Sequence, residues 1–386
     1  MTSRTKKQHG KTITCGEAAM RLLTKYGVDT VFGIPGVHTL DYCRELRDGP
    51  IRHIQVRNEQ GAGFMADGYA RAARRPGVAL VISGPGVTNA LTAIGQSWAD
   101  SIPVLILSSE TDSSTHGKGW GALHEIPDQR AVTAQLTALS ARAKSPEDVP
   151  ELIGQAFGVF SSQRPRPVHI SIPIDILAQP VSKDWMAMKL PKRAQPSADD
   201  IKAAANMLRS AKRPLLMVGG GAVDASVPVR KLVELLQAPV VCSTAGKGIV
   251  PDDHPLSLNA STVRPEVQSF ISTADVILAV GTELAETDSF VERLDFRGDI
   301  IRIDLDPRKL NDQYPSTIGI VADANVSIQS LLAEGGYKSK RQEKEIYTEL
   351  EKIRQKIIEN LTVSEKQHMK LLSALADQMP DDTFYA

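Results

Sequence analysis

Short runs of Val, Ile and Leu recur along this 386-residue chain and alternate with segments of helical length. Examples are VALVIS at 78–83, PVLILSS at 103–109 and DVILAV at 275–280. Strands that are apolar on both faces occur almost only in parallel sheets whose two faces are covered by helices. The pattern therefore predicts an α/β protein built from two doubly wound parallel-sheet domains.

Interruptions of this rhythm predict the domain boundaries. The segment at 181–200 is rich in Lys, Pro and Ser, and it predicts a linker that ends at the N-cap of a new helix. We predict a first domain over 12–182 and a second over 195–330. Connector helices and the truncated start of a further α/β unit are expected over 331–386.

Two segments of that last part have specific interpretations. The segment at 337–361 mixes charges of both signs and is most simply interpreted as a solvent-exposed connector helix. The final residues, 383–386, are interpreted as the beginning of a strand.

The charge balance and the cysteines exclude some classes of function. Forty-five Lys and Arg balance 45 Asp and Glu, and aromatics are 5% of the chain, so neither nucleic acid nor a membrane surface is expected as a partner. The sequence nowhere has the roughly 18 uninterrupted apolar residues that a membrane span needs. Cys15, Cys43 and Cys242 are odd in number and widely spaced, which favours reduced thiols in a cytoplasmic protein.

The segment RNEQGAGFMADGYARA at 57–72 places one carboxylate, Glu59, before a series of small residues. Because Glu59 follows a predicted strand, it is expected at the carboxyl edge of the sheet, where parallel sheets bind ligands. Glycines in this place allow a cofactor or another surface to approach the backbone closely. Alternatively, the glycines serve helix packing and Glu59 stabilises the start of the helix. The residues alone leave both interpretations open.

Other glycine-containing turns also follow predicted strands. In SGPGVTNAL at 83–91, helix amides and small polar side chains suit an anion, although a tight turn with an ordinary cap is the simpler interpretation. VGGGA at 218–222 does not match G-x-G-x-x-G, and TAGKG at 244–248 lacks the Ser or Thr that follows the lysine of a P-loop. Asp304 and Asp306 have the spacing to bind ribose hydroxyls, but we favour an Asx turn into the following proline.

His116 and His124 lie in a glycine-rich loop after a predicted strand, at 110–129. Binding residues concentrate in such loops, but an isolated histidine in a loop is also commonly exposed without a function. The spacing of the two residues does not match helical zinc motifs, so no metal site is predicted.

Four segments in order resemble the amino-terminal, pyrimidine-binding domain of thiamine-diphosphate enzymes, with the acetolactate synthase (acetohydroxyacid synthase) group as the nearest. They are TVFGIPG, RNEQGAGFMADGYARA, LVISGPGVTNALTAI and ADSIPVLILSSE. STAGKGIVPDDHPLS, ADVILAVGTE and IIRIDLDP resemble the Rossmann-like central domain of the same enzymes. The resemblance covers nearly the whole chain from about residue 12.

The resemblance implies that thiamine diphosphate is the cofactor and that Glu59 is catalytic. In that family the corresponding acid hydrogen-bonds a ring nitrogen of the aminopyrimidine and favours the tautomer that removes the thiazolium C2 proton. This requires a carboxyl group that shares or donates a proton at neutral pH, a state that burial among small apolar residues favours. The implied cofactor-binding residues are Gly33, Pro35 and Gly36 at the pocket floor and Ser83, Gly84, Thr88 and Asn89 beside the pyrimidine, with Gly61 and Gly63 allowing the pyrimidine and the partner subunit to approach.

The resemblance also implies a 2-oxo acid substrate and an active site between the subunits of a homodimer or tetramer. His38 and His124 are the expected substrate-pocket residues. Acetolactate synthases have Phe-Gln-Glu where this chain has Leu-His-Glu at 123–125, which argues for another 2-oxo acid. The run LHEIPDQ looks more like decarboxylases of a larger polar substrate, such as 5-guanidino-2-oxopentanoate.

Two departures from the family pattern concern cofactors. The family's carboxyl-terminal domain binds diphosphate and Mg²⁺ through a G-D-G motif, which occurs nowhere in this sequence. We therefore expect a fragment, a truncated product or one part of a split enzyme that is inactive alone, with the Mg²⁺ ligands in the missing domain. Flavin-binding members carry Arg-Phe-Asp-Asp where this chain has Thr-Glu-Leu at 282–284, and Gly-Met-x-Gly where it has LSLNASTVRPE. FAD binding is therefore doubtful.

The favoured function is that of a thiamine-diphosphate-dependent 2-oxo acid decarboxylase or carboligase. One alternative is a true acetolactate synthase in branched-chain amino acid synthesis. Another is a non-catalytic dimerisation module that pairs with a full-length relative. A nucleotide-binding oxidoreductase is a third, and the lack of G-x-G-x-x-G counts against it.

Overall fold

The computed structural model describes residues 13–182, 184–380 and 383. The chain divides into two compact units, with the boundary between Lys192 and Arg193. None of the helices in the described part of the chain is both long and apolar enough to cross a membrane. The predicted strand at 383–386 falls almost wholly outside the described residues.

The first unit contains a parallel sheet of six strands and an antiparallel ribbon of two. Its strands are β1 (Ile13–Thr14), β2 (Thr30–Gly33), β3 (Arg52–Gln55), β4 (Gly77–Val81), β5 (Val104–Glu110), β6 (Leu139–Arg142), β7 (Val168–Pro173) and β8 (Pro180–Val181). Its helices are α1 (Cys15–Lys25), α2 (Leu40–Asp48), α3 (Glu59–Ala73), α4 (Pro85–Ala99), α5 (Gln129–Ala134), α6 (Asp148–Ser162) and α7 (Ile174–Leu177).

The six-stranded sheet has the strand order β3-β2-β4-β5-β7-β6, and both of its faces are covered. On β5, Val104 and Ile106 belong to the core on one face, whereas Leu105 and Leu107 belong to the core on the other. This confirms the doubly wound parallel sheet predicted from the continuous apolar runs. It also explains why those runs lack the polar alternation of a half-exposed strand.

The start of α1 is closed by reciprocal hydrogen bonds between Thr14 and Glu17. The Thr14 hydroxyl accepts a hydrogen bond from the Glu17 amide at 3.3 Å, and the Glu17 carboxylate accepts one from the Thr14 amide at 2.8 Å. This reciprocal capping box satisfies two amides that have no partner within the helix. Gly27, with φ of 84°, lies just beyond the end of the helix.

The ribbon pairs β1 with β8 in antiparallel register, with Ile13 opposite Val181. It joins the beginning of the described chain to the segment that follows the last strand of the first unit's sheet.

The second unit has a five-stranded parallel sheet in the order β10-β9-β11-β12-β13. Its strands are β9 (Pro214–Val218), β10 (Val240–Cys242), β11 (Val276–Val280), β12 (Asp299–Asp304) and β13 (Ile318–Val321). Its helices are α8 (Ala198–Ser210), α9 (Ser226–Leu236), α10 (Pro265–Ile271), α11 (Glu286–Ser289), α12 (Ala324–Glu334), α13 (Glu343–Asn360) and α14 (Val363–Ala376). Ser197 caps α8 by accepting a hydrogen bond from the Asp200 amide, which confirms the predicted end of the linker.

The segment 337–361, interpreted as a solvent-exposed connector helix, also has a buried side. Most of this segment forms α13, but Ile346 and Leu350 are buried in the hydrophobic core of the second unit. The charge-rich sequence hid a narrow apolar stripe, because two residues four positions apart suffice to dock one helix face.

Candidate functional site

Most of the residues proposed from sequence lie at the carboxyl edge of the first sheet. β2 lies between β3 and β4, and the chain passes from β3 back across β2 to reach β4. The strand order therefore changes direction between β2 and β4, and ligands of open α/β sheets bind at such a switch point. The loop after β2, the turn after β4 and the start of α3 meet at this edge, which we call the switch crevice.

Glu59 is the first residue of α3 and is half-buried. Asn58, not Glu59, is the N-cap, because its side chain accepts a hydrogen bond from the Gln60 amide at 2.8 Å. The Glu59 carboxylate instead accepts a hydrogen bond at Oε2 from Nδ2 of Asn89, at 2.9 Å. Its other oxygen, Oε1, makes no hydrogen bond with any of the described residues.

The glycines near Glu59 have different surroundings. A Cβ at Gly61 would meet no atom within 4 Å, so this helix face is open. A Cβ at Gly63 would lie 2.6 Å from the Cβ of Ala93, so Gly63 is required for close packing of α3 on α4. At Gly33 a Cβ would lie 2.1 Å from the Leu80 carbonyl oxygen, because β2 and β4 are paired there. The helix-packing interpretation is therefore confirmed at Gly63, whereas the backbone at Gly61 is open.

The loop after β2 is compact. Gly36 donates its amide to Oγ1 of Thr39 at 2.9 Å, and a Cβ at Gly36 would lie 2.7 Å from Cδ1 of Ile82. Pro35 is exposed beside it. This turn brings the chain directly into the short 3₁₀ segment that carries His38.

The turn after β4 carries Ser83 and Gly84. Ser83 is almost completely buried, and Gly84 has φ of 57° and ψ of −107°, which favours glycine. A Cβ at Gly84 would lie 2.1 Å from the carbonyl oxygen of His124, so the loop after β5 lies directly on this turn. Thr88 and Asn89 are exposed one helical turn further along α4.

His38 and His124 come together at the switch crevice. Nδ1 of His38 and Oγ of Ser83 share a hydrogen bond of 2.5 Å. The centroids of the His38 and His124 rings are 5.9 Å apart, and the ring planes are nearly perpendicular. Burial, with a smaller contribution from His124, lowers the pKa of His38 below its usual value. Its imidazole is therefore neutral at pH 7 and offers hydrogen bonds rather than a charge.

His116 lies apart from this pair. Its Nε2 is 2.9 Å from the Thr111 carbonyl oxygen and 3.9 Å from the Glu110 carboxylate. The two loop histidines therefore have different surroundings, and His124 is the one that the fold brings to His38.

Sequence analysis did not single out Gln129, a fully buried residue at the start of α5. Its Oε1 accepts a hydrogen bond from the Gly84 amide at 2.7 Å. Its Nε2 lies 2.9 Å from the Ser109 carbonyl oxygen and 3.0 Å from Oγ of Ser171. A usable signal was Asp128, a capping residue that marks the start of a helix directly before Gln129.

Glu125 was also not singled out. Its carboxylate accepts hydrogen bonds from the amides of Gly119, Gly121 and Ala122, at 2.8 to 3.0 Å. This holds the glycine-rich loop in the shape that presents His124.

The glycine-rich turns of the second unit pack against each other. A Cβ at Gly219 would lie 2.4 Å from the Gly281 carbonyl oxygen, and one at Gly246 would lie 2.4 Å from that of Val218. A crevice of about 270 Å³ lies beside them, with Asp288 among its lining residues. These glycines therefore serve contacts between backbone segments of the unit itself.

Asp304 and Asp306 form the predicted turn. The Asp306 amide donates to Oδ1 of Asp304 at 2.8 Å, and the Arg308 amide donates to Oδ1 of Asp306 at 3.0 Å. This confirms the Asx turn. In the described part of the chain, no group of three or more His, Cys, Asp and Glu residues has the arrangement of a metal site.

Comparison with known proteins matches both units. A family model described as thiamine pyrophosphate enzyme, N-terminal TPP binding domain, covers residues 13–132. A second, described as thiamine pyrophosphate enzyme, central domain, covers residues 201–331. The chain belongs to the thiamine pyrophosphate enzyme family.

Three relatives illustrate its place in that family. A probable 2-ketoarginine decarboxylase, AruI, of Pseudomonas aeruginosa is 50% identical over 379 residues, which are 98% of this chain and 68% of the relative. The isozyme 3 large subunit of acetolactate synthase from Escherichia coli is 35% identical over 82% of this chain and 57% of its own length. The acetolactate synthase of Mycobacterium bovis is 32% identical over 83% of this chain and 53% of its own length. The chain thus spans between half and about two thirds of these relatives.

Proposed function

We propose that this chain is the pyrimidine-binding and central part of a thiamine-diphosphate-dependent 2-oxo acid decarboxylase. The observation that carries the proposal is the Glu59 carboxylate at the switch crevice, with Oε2 bound by Asn89 and Oε1 making no hydrogen bond with any of the described residues. A carboxylate with one oxygen held and the other open suits a flat ring that offers a nitrogen in its plane.

The residues present fit the pyrimidine half of thiamine diphosphate. Oε1 of Glu59 faces the ring nitrogen in this proposal, while Asn89 fixes the direction of the carboxylate. Gly61 leaves room for the ring, and the Ser83–Gly84 turn forms the opposite wall with Thr88. Gly33, Pro35 and Gly36 shape the floor through the turn after β2. When bound, the cofactor supplies a ring that accepts the electrons released as carbon dioxide leaves.

The substrate is proposed to be a 2-oxo acid with a polar side chain, and His38 and His124 line its pocket. The resemblance of LHEIPDQ to decarboxylases of 5-guanidino-2-oxopentanoate agrees with the relative of P. aeruginosa, whose name refers to the same compound as 2-ketoarginine. A neutral imidazole accepts a hydrogen bond from a guanidinium group without repelling it. The low pKa of His38 provides that state at neutral pH.

The site is proposed to be completed by residues outside these two domains and by a second subunit. The two family models cover an amino-terminal and a central domain, and the Mg²⁺ and diphosphate ligands are expected in the third. On α3, Phe64 is 42% exposed and Met65 is 47% exposed, and large apolar side chains exposed near an open crevice suit a subunit contact. A homodimer or tetramer in the cytoplasm is the assembly we propose.

The central domain is proposed to function without FAD. The backbone amides of Gly219, Gly246 and Gly281 already donate hydrogen bonds to carbonyl oxygens of the same unit. The purified protein should therefore lack flavin absorbance and should not gain it on incubation with FAD. A bound flavin retained through gel filtration would contradict this.

The proposal is tested by comparing this chain with a chimera that continues into the carboxyl-terminal third of the P. aeruginosa relative. With thiamine diphosphate, Mg²⁺ and 5-guanidino-2-oxopentanoate, the chimera should release carbon dioxide and the corresponding aldehyde, and this chain alone should not. Turnover by the chain alone would contradict the expected division of the site. Turnover of pyruvate to acetolactate as the preferred reaction would favour the acetolactate synthase alternative, and a chimera inactive on every 2-oxo acid would favour the dimerisation module.

A further inference from the structure

The carboxamide of Gln129 connects neighbouring strands at the switch crevice. Its hydrogen bonds reach Gly84 after β4, Ser108 and Ser109 in β5, and Ser171 in β7, at 2.7 to 3.0 Å. These strands are adjacent in the sheet, in the order β4-β5-β7. One buried side chain therefore spans the part of the sheet edge that borders the crevice.

The orientation of this carboxamide is determined by groups with fixed roles. The Gly84 amide is a donor only, and the Ser109 carbonyl oxygen is an acceptor only. Reversing the carboxamide would set two donors against each other at Gly84 and two acceptors against each other at Ser109. An unsatisfied buried polar group costs about 1–3 kcal/mol, so the observed orientation is strongly preferred.

Gly84 links the Gln129 carboxamide to the residues of the switch crevice. Its backbone has φ of 57°, and it lies between Ser83, which is bonded to His38, and α4, which carries Asn89. The carbonyl oxygen of His124 lies against its Cα. A shift of this turn would therefore move the partners of both His38 and Glu59.

We infer that Gln129 is a positioning residue, which holds the Ser83–Gly84 turn so that Ser83 directs His38 and Asn89 directs Glu59. The inference rests on the proposed function, because the turn matters for chemistry only as a wall of the pyrimidine site. Gln129 acts through these residues and has no role as a proton donor or acceptor in the reaction.

The first test measures the turn itself and needs neither cofactor nor turnover. Gln129→Met keeps the volume of the side chain and removes its hydrogen bonds. Amide hydrogen exchange at Gly84, followed by NMR on protein with isotope-labelled glycine, should accelerate about tenfold, the usual effect of losing one buried hydrogen bond. The titration of His38 should also move toward its ordinary range. Exchange at Gly84 equal to that of the wild-type chain would overturn the inference.

Two further variants separate positioning from general loosening. Thr133→Val removes a buried hydroxyl that is 2.7 Å from Nδ1 of His169, in the same polar region but without contact to Gly84. It should leave Gly84 exchange unchanged. Gln129→Glu keeps an oxygen that accepts from the Gly84 amide, and its carboxyl group, which burial keeps protonated, can donate to the Ser109 carbonyl oxygen in place of Nε2, so it should retain most of the protection. If this variant exchanged as fast as Gln129→Met, or if Thr133→Val exchanged as fast, the inference would fail.

The second test links the turn to the reaction in the active chimera. Gln129→Met should slow exchange of the cofactor C2 proton by about tenfold, in proportion to the loosening at Gly84. Loosening at Gly84 with unchanged C2 exchange would overturn the positioning role. Failure of the proposed function would appear instead as an inactive chimera, whatever the exchange rate at Gly84.

Discussion

Asn89 on α4 donates a hydrogen bond of 2.9 Å to the carboxylate of Glu59 at the start of α3. The two helices are also packed closely enough that Gly63 has no room for a Cβ against Ala93. The position of the acid is thus set by helix packing and by an amide partner together. Under the proposed function, the carboxylate has its orientation before any ligand arrives.

Replacing Glu59 with Gln should slow exchange of the cofactor C2 proton in the active chimera by about 10²- to 10⁴-fold, the range for losing a positioned proton-transfer group. The carboxamide keeps the shape of the side chain but has no carboxyl proton to share with the ring nitrogen of the pyrimidine. Glu17→Gln, which changes a capping residue of α1, should leave the rate unchanged. An unaltered rate in Glu59→Gln would remove Glu59 from the mechanism.

Two glycines of α3 should respond in opposite ways to alanine. Gly61→Ala should raise the free energy of unfolding by about 0.5–1 kcal/mol, because alanine is favoured in a helix and its Cβ meets open space. Gly63→Ala should lower it by about 1–3 kcal/mol, because the new Cβ would overlap Ala93. Urea denaturation of this chain measures both. The pyrimidine-site proposal adds that Gly61→Ala binds the cofactor more weakly in the chimera, despite being more stable.

His124→Gln should change substrate preference more than cofactor affinity. The measured quantity is the ratio of kcat/KM for 5-guanidino-2-oxopentanoate to that for pyruvate, which should fall. His116→Gln is the matched control, since His116 lies on the same loop and contacts Thr111 rather than His38. Equal effects of His124→Gln on every substrate would count against a pocket role.

Buried His169 should make the stability of this chain depend on pH. Its Nε2 and Nδ1 lie 2.8 and 2.7 Å from the hydroxyls of Ser108 and Thr133, and burial, with a smaller effect of Arg142, lowers its pKa from 6.5 to about 3. Between these two pKa values, His169 is protonated in the unfolded chain but neutral in the folded chain. The contribution of His169 to the free energy of unfolding is complete above pH 6.5. It is lost as the pH falls toward 3, by up to about 1.4 kcal/mol per pH unit. His169→Gln should flatten the pH dependence of unfolding over this range, and an equally steep profile in the variant would refute the assignment.

The strands and their edge could be predicted from the sequence because they depend on local patterns. Runs such as that at 104–107 are apolar on both faces, and this property alone identifies a sheet covered on two sides. Ser83 follows such a strand and Glu59 follows β3, an edge strand that is only partly buried, and a place at the carboxyl edge was predictable for both. The resemblance supplied the chemical roles, which remain proposals.

Residues whose importance depends on distant parts of the chain could not be predicted. Gln129 bonds to a residue after β4 and to groups on β5 and β7, and nothing near it in sequence reveals that these strands are neighbours. The two readings of the small residues in α3 could not be separated either, because Gly61 and Gly63 look alike until α4 is in place. The buried stripe of α13 was hidden for the same reason.

The short ribbon between β1 and β8 brings the two ends of the first unit side by side, with Ile13 opposite Val181. When the ends of a unit lie close together, its coding segment can be inserted, duplicated or removed within a longer gene without disrupting the strand pairing of its sheet. A polypeptide cut after Lys192 should accordingly fold and display the cooperative melting of an independent module. Recombination between related genes would then exchange this unit intact, and Glu59 and the Ser83–Gly84 turn would move with it.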